Sequence, residues 1–330
     1  MTPKGLMVCL TTMVSWALLI VISKGLLVRY NLDPWIFTII QLMFGGVFLV
    51  CISGSSATTL IALRSPYTWA YGVARVLSAA CFTASLLYIS AANAGFFGLV
   101  SIPFSALMFV LLFSRKPSVL ELPGHIIIVA GMVLLISTLE NTFSNPAVYL
   151  MLLSEAAVVS SVIIAEFHPQ NQGDSLKERA SLSGVMLLAS AFTMLVTLAA
   201  LSLLTGATEP ATTTPQVVDW KQSIPLIDLS QVWSLKMWIA AIAVGVTLRG
   251  TSMFLSMQAI SLVGGQNYVA TIAALPFTSL LFERVADVSG YLPQHMPDPL
   301  TVLAGVIMTC GSLSIMWARQ HKLKTAAAIL

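Results

Sequence analysis

Between Leu6 and Ser23 the chain is apolar, and nine further apolar runs follow. They are Pro34–Ser53, Pro66–Ser90, Gly95–Phe113, Leu122–Leu139, Pro146–Phe167, Ser181–Thr205, Met237–Leu262, Gln266–Phe282 and Pro299–Ala318. Each holds about 17–26 residues, which at about 1.5 Å per helical residue covers a bilayer core of about 30 Å. Within lipid a segment must satisfy its own backbone polar groups, and runs of this length do so only as helices. Alternating strands of about ten residues, which an outer-membrane barrel needs, are absent from the sequence. The expected fold is therefore an all-α integral membrane protein of about ten transmembrane helices, with the lipid bilayer as its solvent.

Composition agrees: 57% of residues are hydrophobic and 9% charged, with a mean hydropathy of +0.91. A soluble domain carries about a quarter charged residues. The net charge of +3 is spread thinly, with no basic patch interleaved with aromatics, so nucleic acid is not an expected partner. Cys9, Cys51, Cys81 and Cys310 all lie inside apolar runs and read as small core residues. His125, His168, His295 and His321 lie apart, and no glycine-rich phosphate loop with a lysine is present. No metal, no cofactor, no catalytic residue and no direct drive by ATP are expected. Lys24 follows the first run directly and more apolar sequence comes after it, so the first run reads as an uncleaved span.

The loop cations suggest an orientation. With the N-terminus cytoplasmic, the inner side holds Lys4, Arg64, Arg115, Lys116, Lys177, Arg179, Arg319, Lys322 and Lys324. The outer side holds Lys24, Arg29, Lys221, Lys236 and Arg284. The excess favours both termini in the cytoplasm. Most connections are short, but Gly206–Gln231 is not. It reads either as an outer loop with tryptophan anchors or as a lid over an outer vestibule.

Part of the chain is written twice. The stretch from Arg75 to Pro103 opens on that arginine, passes a small-residue turn with Asn93 and ends in the pair Pro103–Phe104. The stretch from Leu248 to Phe277 opens on Arg249, passes Gln266 and Asn267 and ends on Pro276–Phe277. Arg249 follows Arg75 by 174 positions and Pro276 follows Pro103 by 173. Gly124 and Gly131 are answered by Gly305 and Gly311. The chain thus divides near Asn145–Pro146 into halves 1–145 and 146–330, the second with an outer loop over 206–235. Five spans per half is an odd number, so the second copy enters the membrane inverted, a plan common in secondary transporters.

The order Arg, Leu87–Tyr88, small-residue turn, Pro, then paired glycines, twice in a ten-span chain, resembles the drug/metabolite transporter superfamily of EamA-type permeases. The firmest parts are 84–135 and 254–316, and Phe282–Glu283–Arg284 is similar to the family's helix-ending Pro…Glu-Arg pattern. Ser114–Arg115–Lys116 stands in the first repeat where that Glu is expected. Trp16…Lys24 is similar to the family's first helix. The resemblance implies two inverted five-helix repeats around a central cavity, moving small metabolites, often outward.

A charged side chain at mid-membrane costs roughly 2.5–3.5 kcal/mol on insertion scales, so each needs a reason. Glu155, Arg75 and Arg249 all count to depths near the bilayer centre. They read either as a site for a charged solute or as a buried ion pair that fixes packing. Two arginines against one glutamate leave a positive surplus, and the guanidinium fork suits a carboxylate or phosphate. Trp16, Gln41, Tyr88, Asn93, Gln258, Gln266 and Asn267 are further candidates for the solute, or for bonds between helices. Pro103 and Pro276 read as kinks or as equivalent hinges. Lys24 and Glu166 sit near run ends, where snorkelling to the interface is expected.

The expected activity is secondary transport by alternating access, exporting an amino acid or related small anionic metabolite, with a proton or a counter-solute as coupling partner. Glu155 is the mid-membrane acid able to carry a proton. Alternatives are a nucleotide-sugar or sugar-phosphate exchanger and, in another class, an intramembrane lipid-modifying enzyme. The expected location is a bacterial inner membrane.

Overall fold

The computed structural model describes residues 3–54, 56–173, 175–205, 229–291 and 298–329, and every regular element among them is helical. The α-helices are α1 (Pro3–Tyr30), α2 (Pro34–Ser53), α3 (Ser56–Arg64), α4 (Pro66–Ser85), α5 (Ala91–Phe97), α6 (Ser101–Phe113) and α7 (Leu122–Ser137). There follow α8 (Pro146–Phe167), α9 (Leu176–Thr205), α10 (Leu235–Val244), α11 (Gly250–Val263), α12 (Gly265–Thr271), α13 (Leu275–Val288) and α14 (Pro299–Ile329). Starts are marked by local chemistry. Asp33 accepts from the Trp35 and Ile36 amides, each at 2.9 Å, and Asn145 accepts from the Ala147 amide at 2.9 Å. Pro34 and Pro146 follow those caps in the first turn, where a missing N–H costs nothing. The Gly206–Gln231 connection lies outside the described residues for 206–228.

Nine stretches among the described residues are long and apolar enough to cross a membrane, where ten were expected. The tenth is α4, 20 residues long but polar in part. Thr68, Arg75, Ser78, Thr83 and Ser85 face inward, and α4 packs on α8 and α9, so its polar stripe is shielded by protein. Elsewhere the lipid-facing surface is apolar, with Val119, Leu111 and Trp317 well exposed. Cys9 and Cys81 are buried, but Cys51 and Cys310 lie on this outer surface instead of in the core. An apolar run therefore marks a lipid-facing position as readily as a packed one.

Two expected continuous spans are broken. In the first half α5 gives way to a 3-10 turn, Gly98–Val100, before α6. In the second α12 gives way to a 3-10 turn, Ile272–Ala274, before α13. Ala91, Gly98 and Ser101 open the three pieces in one half, and Gly265, Ile272 and Leu275, each 174 positions later, open them in the other. Pro103 and Pro276 lie in the first turn after these breaks, so each follows a helix restart where its absent donor is least costly.

The helix contacts exchange between halves. α4 packs on α8 as α11 packs on α1, and α5 packs on α13 as α12 packs on α6. The equivalent helices α2 and α9 pack together, as do α7 and α14. This is the pattern of two inverted five-helix repeats related by a two-fold axis. Glycines let these pairs approach. A Cβ on Gly46 would stand 2.8 Å from the Gly184 carbonyl oxygen, and one on Gly184 would stand 2.8 Å from that of Gly46. Gly124 and Gly311 repeat the arrangement at 2.6 and 2.7 Å. Close backbone approach of this kind supplies packing where lipid gives helices no hydrophobic reason to associate.

Candidate functional site

A cavity of about 110 Å³ lies at the centre, walled by α1, α4, α8, the α10–α11 span and the broken helix α12–α13. Trp16, Arg75, Glu155 and Arg249 all line it. Four residues singled out from the sequence, carried by four spans in both halves, thus face one space. Their burial is high, with Arg75, Glu155 and Arg249 at 8%, 5% and 6% exposure.

Trp16 is the hub. The Arg75 Cζ lies 5.0 Å from its ring centroid and the Arg249 Cζ 5.6 Å. The indole Nε1–H donates to Ser256 Oγ at 2.9 Å, and Tyr268 OH donates to the same oxygen at 2.9 Å. Ser256 in turn donates to the Ser252 carbonyl at 2.7 Å. The ring is therefore fixed by α11 and α12 while its π cloud receives both cations. A desolvated cation–π contact stabilises by about 2 kcal/mol, which offsets part of the cost of holding a guanidinium at this depth.

Arg249 also donates from Nη2 to Gln41 Oε1 at 3.2 Å, and Gln41 donates from Nε2 to Ser23 Oγ at 3.4 Å. Gln41 thus supports Arg249 without lining the cavity itself. Arg249 closes a π-helical turn, Gly245–Arg249, inserted into the α10–α11 span. The insertion is visible in the repeat. Gly72 and Gly245 are equivalent, since each presses on the other half's second helix, Gly72 on Ala189 and Gly245 on Gln41. They stand 173 positions apart, whereas Arg75 and Arg249 stand 174 apart, so one residue is gained inside the π turn. A π turn is a one-residue insertion, and such turns gather at functional sites.

Glu155 does not pair with either arginine. The ion pairs Lys24–Glu283 at 3.3 Å and Arg319–Glu121 at 3.1 Å lie elsewhere. The Nε atoms of Arg75 and Arg249 are buried and without a hydrogen-bond partner. The packing ion pair considered from sequence is thus absent. Two guanidiniums keep donor capacity toward the cavity, and the carboxyl of Glu155 sits near Gly98, its Oε1 4.0 Å from where a Cβ would be.

The remaining candidates stand elsewhere. Tyr88, Asn93, Gln258, Gln266 and Asn267 do not line the cavity. Asn267 donates to the Val263 carbonyl at 2.8 Å, closing its own turn, and the Gln266 carbonyl receives Arg319 Nη1 at 3.0 Å. Asn93 donates its backbone amide to Ser90 Oγ at 3.0 Å. Tyr88 packs against the core, and the Gln258 carbonyl accepts from Ser261 Oγ at 2.9 Å. Sequence reading passed over Tyr71, Ser256 and Tyr268, all at the cavity wall. Their signal was only a hydroxyl in an apolar run.

Residues 3–137 match the EamA-like transporter family. A solved crystal structure is similar over nearly the whole length, with a TM-score of 0.55 at 18% identity, covering 97% of this chain and 99% of that one. At that identity the likeness speaks for the fold alone. No curated protein matches the chain. Broken inverted repeats, a charged cavity and the family match point the same way: residues 3–137 are similar to EamA-like transporters, and the chain is an integral membrane protein.

Proposed function

We propose that the chain is a secondary transporter that moves a small anionic metabolite, an amino acid derivative or related compound, outward by alternating access. The two halves 1–145 and 146–330 are its working parts, with 206–235 as the outer loop. The observation that carries the reading is the pair of guanidiniums on Trp16, each with a buried Nε–H that has no partner among the described residues. A carboxylate or phosphate is the group that accepts from such donors, and inside a protein cavity it is held more strongly than in water.

Glu155 is the proton carrier in this reading. It shares the cavity with the arginines but not their hydrogen bonds, so an arriving anion need not displace it from an ion pair. Glu155 carries its proton inward in the half-cycle that returns without the anion, which couples outward solute movement to the inward proton gradient. Both termini lie in the cytoplasm of a bacterial inner membrane, with Lys24 toward the outer face.

Counterflow in proteoliposomes tests the solute class. Anionic amino acids and organic phosphates should exchange, and neutral or cationic analogues of the same size should not. Arg249→Lys keeps the charge but loses the fork and the Gln41 geometry, so exchange should fall by about tenfold or more while the protein still inserts. Normal exchange by that variant, or equal exchange of neutral solutes, would end the anion reading.

A further inference from the structure

Two side chains that the sequence assigns to the membrane interface instead make inward contacts, one near the end of each of two equivalent helices. Lys24, on the last third of α1, turns inward with 16% side-chain exposure. Its Nζ donates to the Ile89 carbonyl at 3.4 Å and pairs with Glu283 Oε1 of α13 at 3.3 Å. Glu166, in the last turn of α8, accepts from the Gly265 amide at 3.2 Å through Oε2. α8 is the counterpart of α1 in the other half, and successive spans alternate in direction when α4 is counted as a crossing. The two contacts therefore lie at opposite faces of the membrane.

The contacts are equivalent in a second way. Ile89 belongs to the turn that leads into the short helix α5, and Gly265 opens the short helix α12. A cation takes a carbonyl at one end and a carboxylate takes an amide at the other, so each uses the backbone group its charge prefers. Each site is built for its partner. Gly264 has φ +79 and ψ 154, a conformation close to glycine-only, and a Cβ on Gly265 would stand 2.6 Å from Glu166 Oε2. At the α1 end Gly25 leaves room for the ring of Tyr291, whose hydroxyl donates to the Ile22 carbonyl at 3.5 Å. Arg319 adds to the α8 end, bonding Glu121 at 3.1 Å and the Gln266 carbonyl at 3.0 Å.

We infer that Lys24 and Glu166 are a matched pair of latches, each closing one end of the cavity by holding the turn before a short broken helix, and that transport releases one while the other holds. Release at either end frees a seven-residue helix that is already separated from its longer partner by a 3-10 turn. The inference rests on the alternating-access reading above, but not on the identity of the solute.

Single cysteines report each end in a chain whose four native cysteines are alanine, reconstituted in one orientation. Leu86→Cys lies in the cavity wall toward the Lys24 end, and Ile260→Cys in the wall toward the Glu166 end. Labelling by a membrane-impermeant maleimide, added to one face at a time without solute, should respond in opposite ways. Lys24→Met should speed Leu86→Cys labelling by about tenfold and slow that of Ile260→Cys, and Glu166→Gln should do the reverse. Glu283→Gln should reproduce Lys24→Met, which keeps the test alive if the latter fails to fold. Lys24→Arg and Glu166→Asp should restore the parent pattern. Faster labelling at both ends in either variant, or no change in any, would overturn the latches. Opposite shifts in a protein that exchanges no anion would sink the solute assignment and leave the latches standing. Anion exchange with unshifted labelling would do the opposite.

Discussion

Arg75 and Arg249 come from opposite halves of the chain and set their Cζ atoms 5.0 and 5.6 Å from the centroid of one indole ring, that of Trp16. Two like charges are thereby held at one place by a neutral group. The indole is locked through Ser256, so neither guanidinium is free to follow a moving ring. The positive potential of the cavity is then a fixed property of the scaffold, available before any solute arrives.

Replacing Trp16 tests that arrangement. Trp16→Leu removes both cation–π contacts, each worth about 2 kcal/mol when desolvated, and should lower thermal stability in detergent measurably. Trp16→Phe keeps a π face but loses the bond to Ser256, and should fall between the parent and Trp16→Leu. Thermal unfolding followed by size-exclusion chromatography gives the order. Equal stability of all three would show that the ring is not the arginines' support.

Glu155→Gln should leave solute-for-solute exchange within about twofold of the parent and abolish acceleration by an imposed pH gradient. The two assays on one preparation separate a proton carrier from a packing residue. Loss of plain exchange together with stability would mark Glu155 as structural.

His168 gives a pH prediction outside the spans. It is buried, its Nδ1 accepts from the Gln170 amide at 3.2 Å, and its Nε2 lies 3.1 Å from Thr68 Oγ1. Burial pulls its pKa down from 6.5 to about 4. The unfolded chain takes up this proton near pH 6.5 and the folded chain only near pH 4. Stability from His168 is therefore complete above pH 6.5 and is lost as pH falls toward about 4. Acid-induced loss of Tm should be shallower over that range in His168→Gln. An unchanged slope would mean the folded ring titrates normally.

Gly46→Ala and Gly184→Ala each place a methyl 2.8 Å from the facing carbonyl oxygen, so α2 and α9 must part. Each should cost about 1–3 kcal/mol, as overpacking does. Because the two glycines face each other, the double variant should cost less than the two single costs combined, since helices already parted admit the second methyl. Strict additivity would place the strain elsewhere.

The membrane fold and the duplication were legible because both are carried by long-range regularities: run length and a fixed offset. Arg75, Arg249, Glu155 and Trp16 were legible because a charge or an indole deep in an apolar run is costly enough to mark itself. The breaks before α6 and α13 were hidden, since Gly95–Phe113 and Gln266–Phe282 are as apolar across a 3-10 turn as within a helix. Lys24 and Glu166 were read as reaching outward because their partners are remote in sequence: Glu283 for one, Gly265 for the other. Gln266 and Asn267 were polar for a local reason, a helix entry, which a count of polar groups does not distinguish from a site.

The π turn at Gly245–Arg249 has no counterpart in α4, which runs as an unbroken α-helix through Arg75. Two exact inverted copies can trade roles at no cost, so the form open to one side and the form open to the other have equal energy by symmetry. A single added residue in one copy lifts that degeneracy. The energy difference between the two forms is then a quantity the sequence can tune at Arg249 itself, and deleting one residue of the turn is the change that moves the chain back toward an unbiased seesaw.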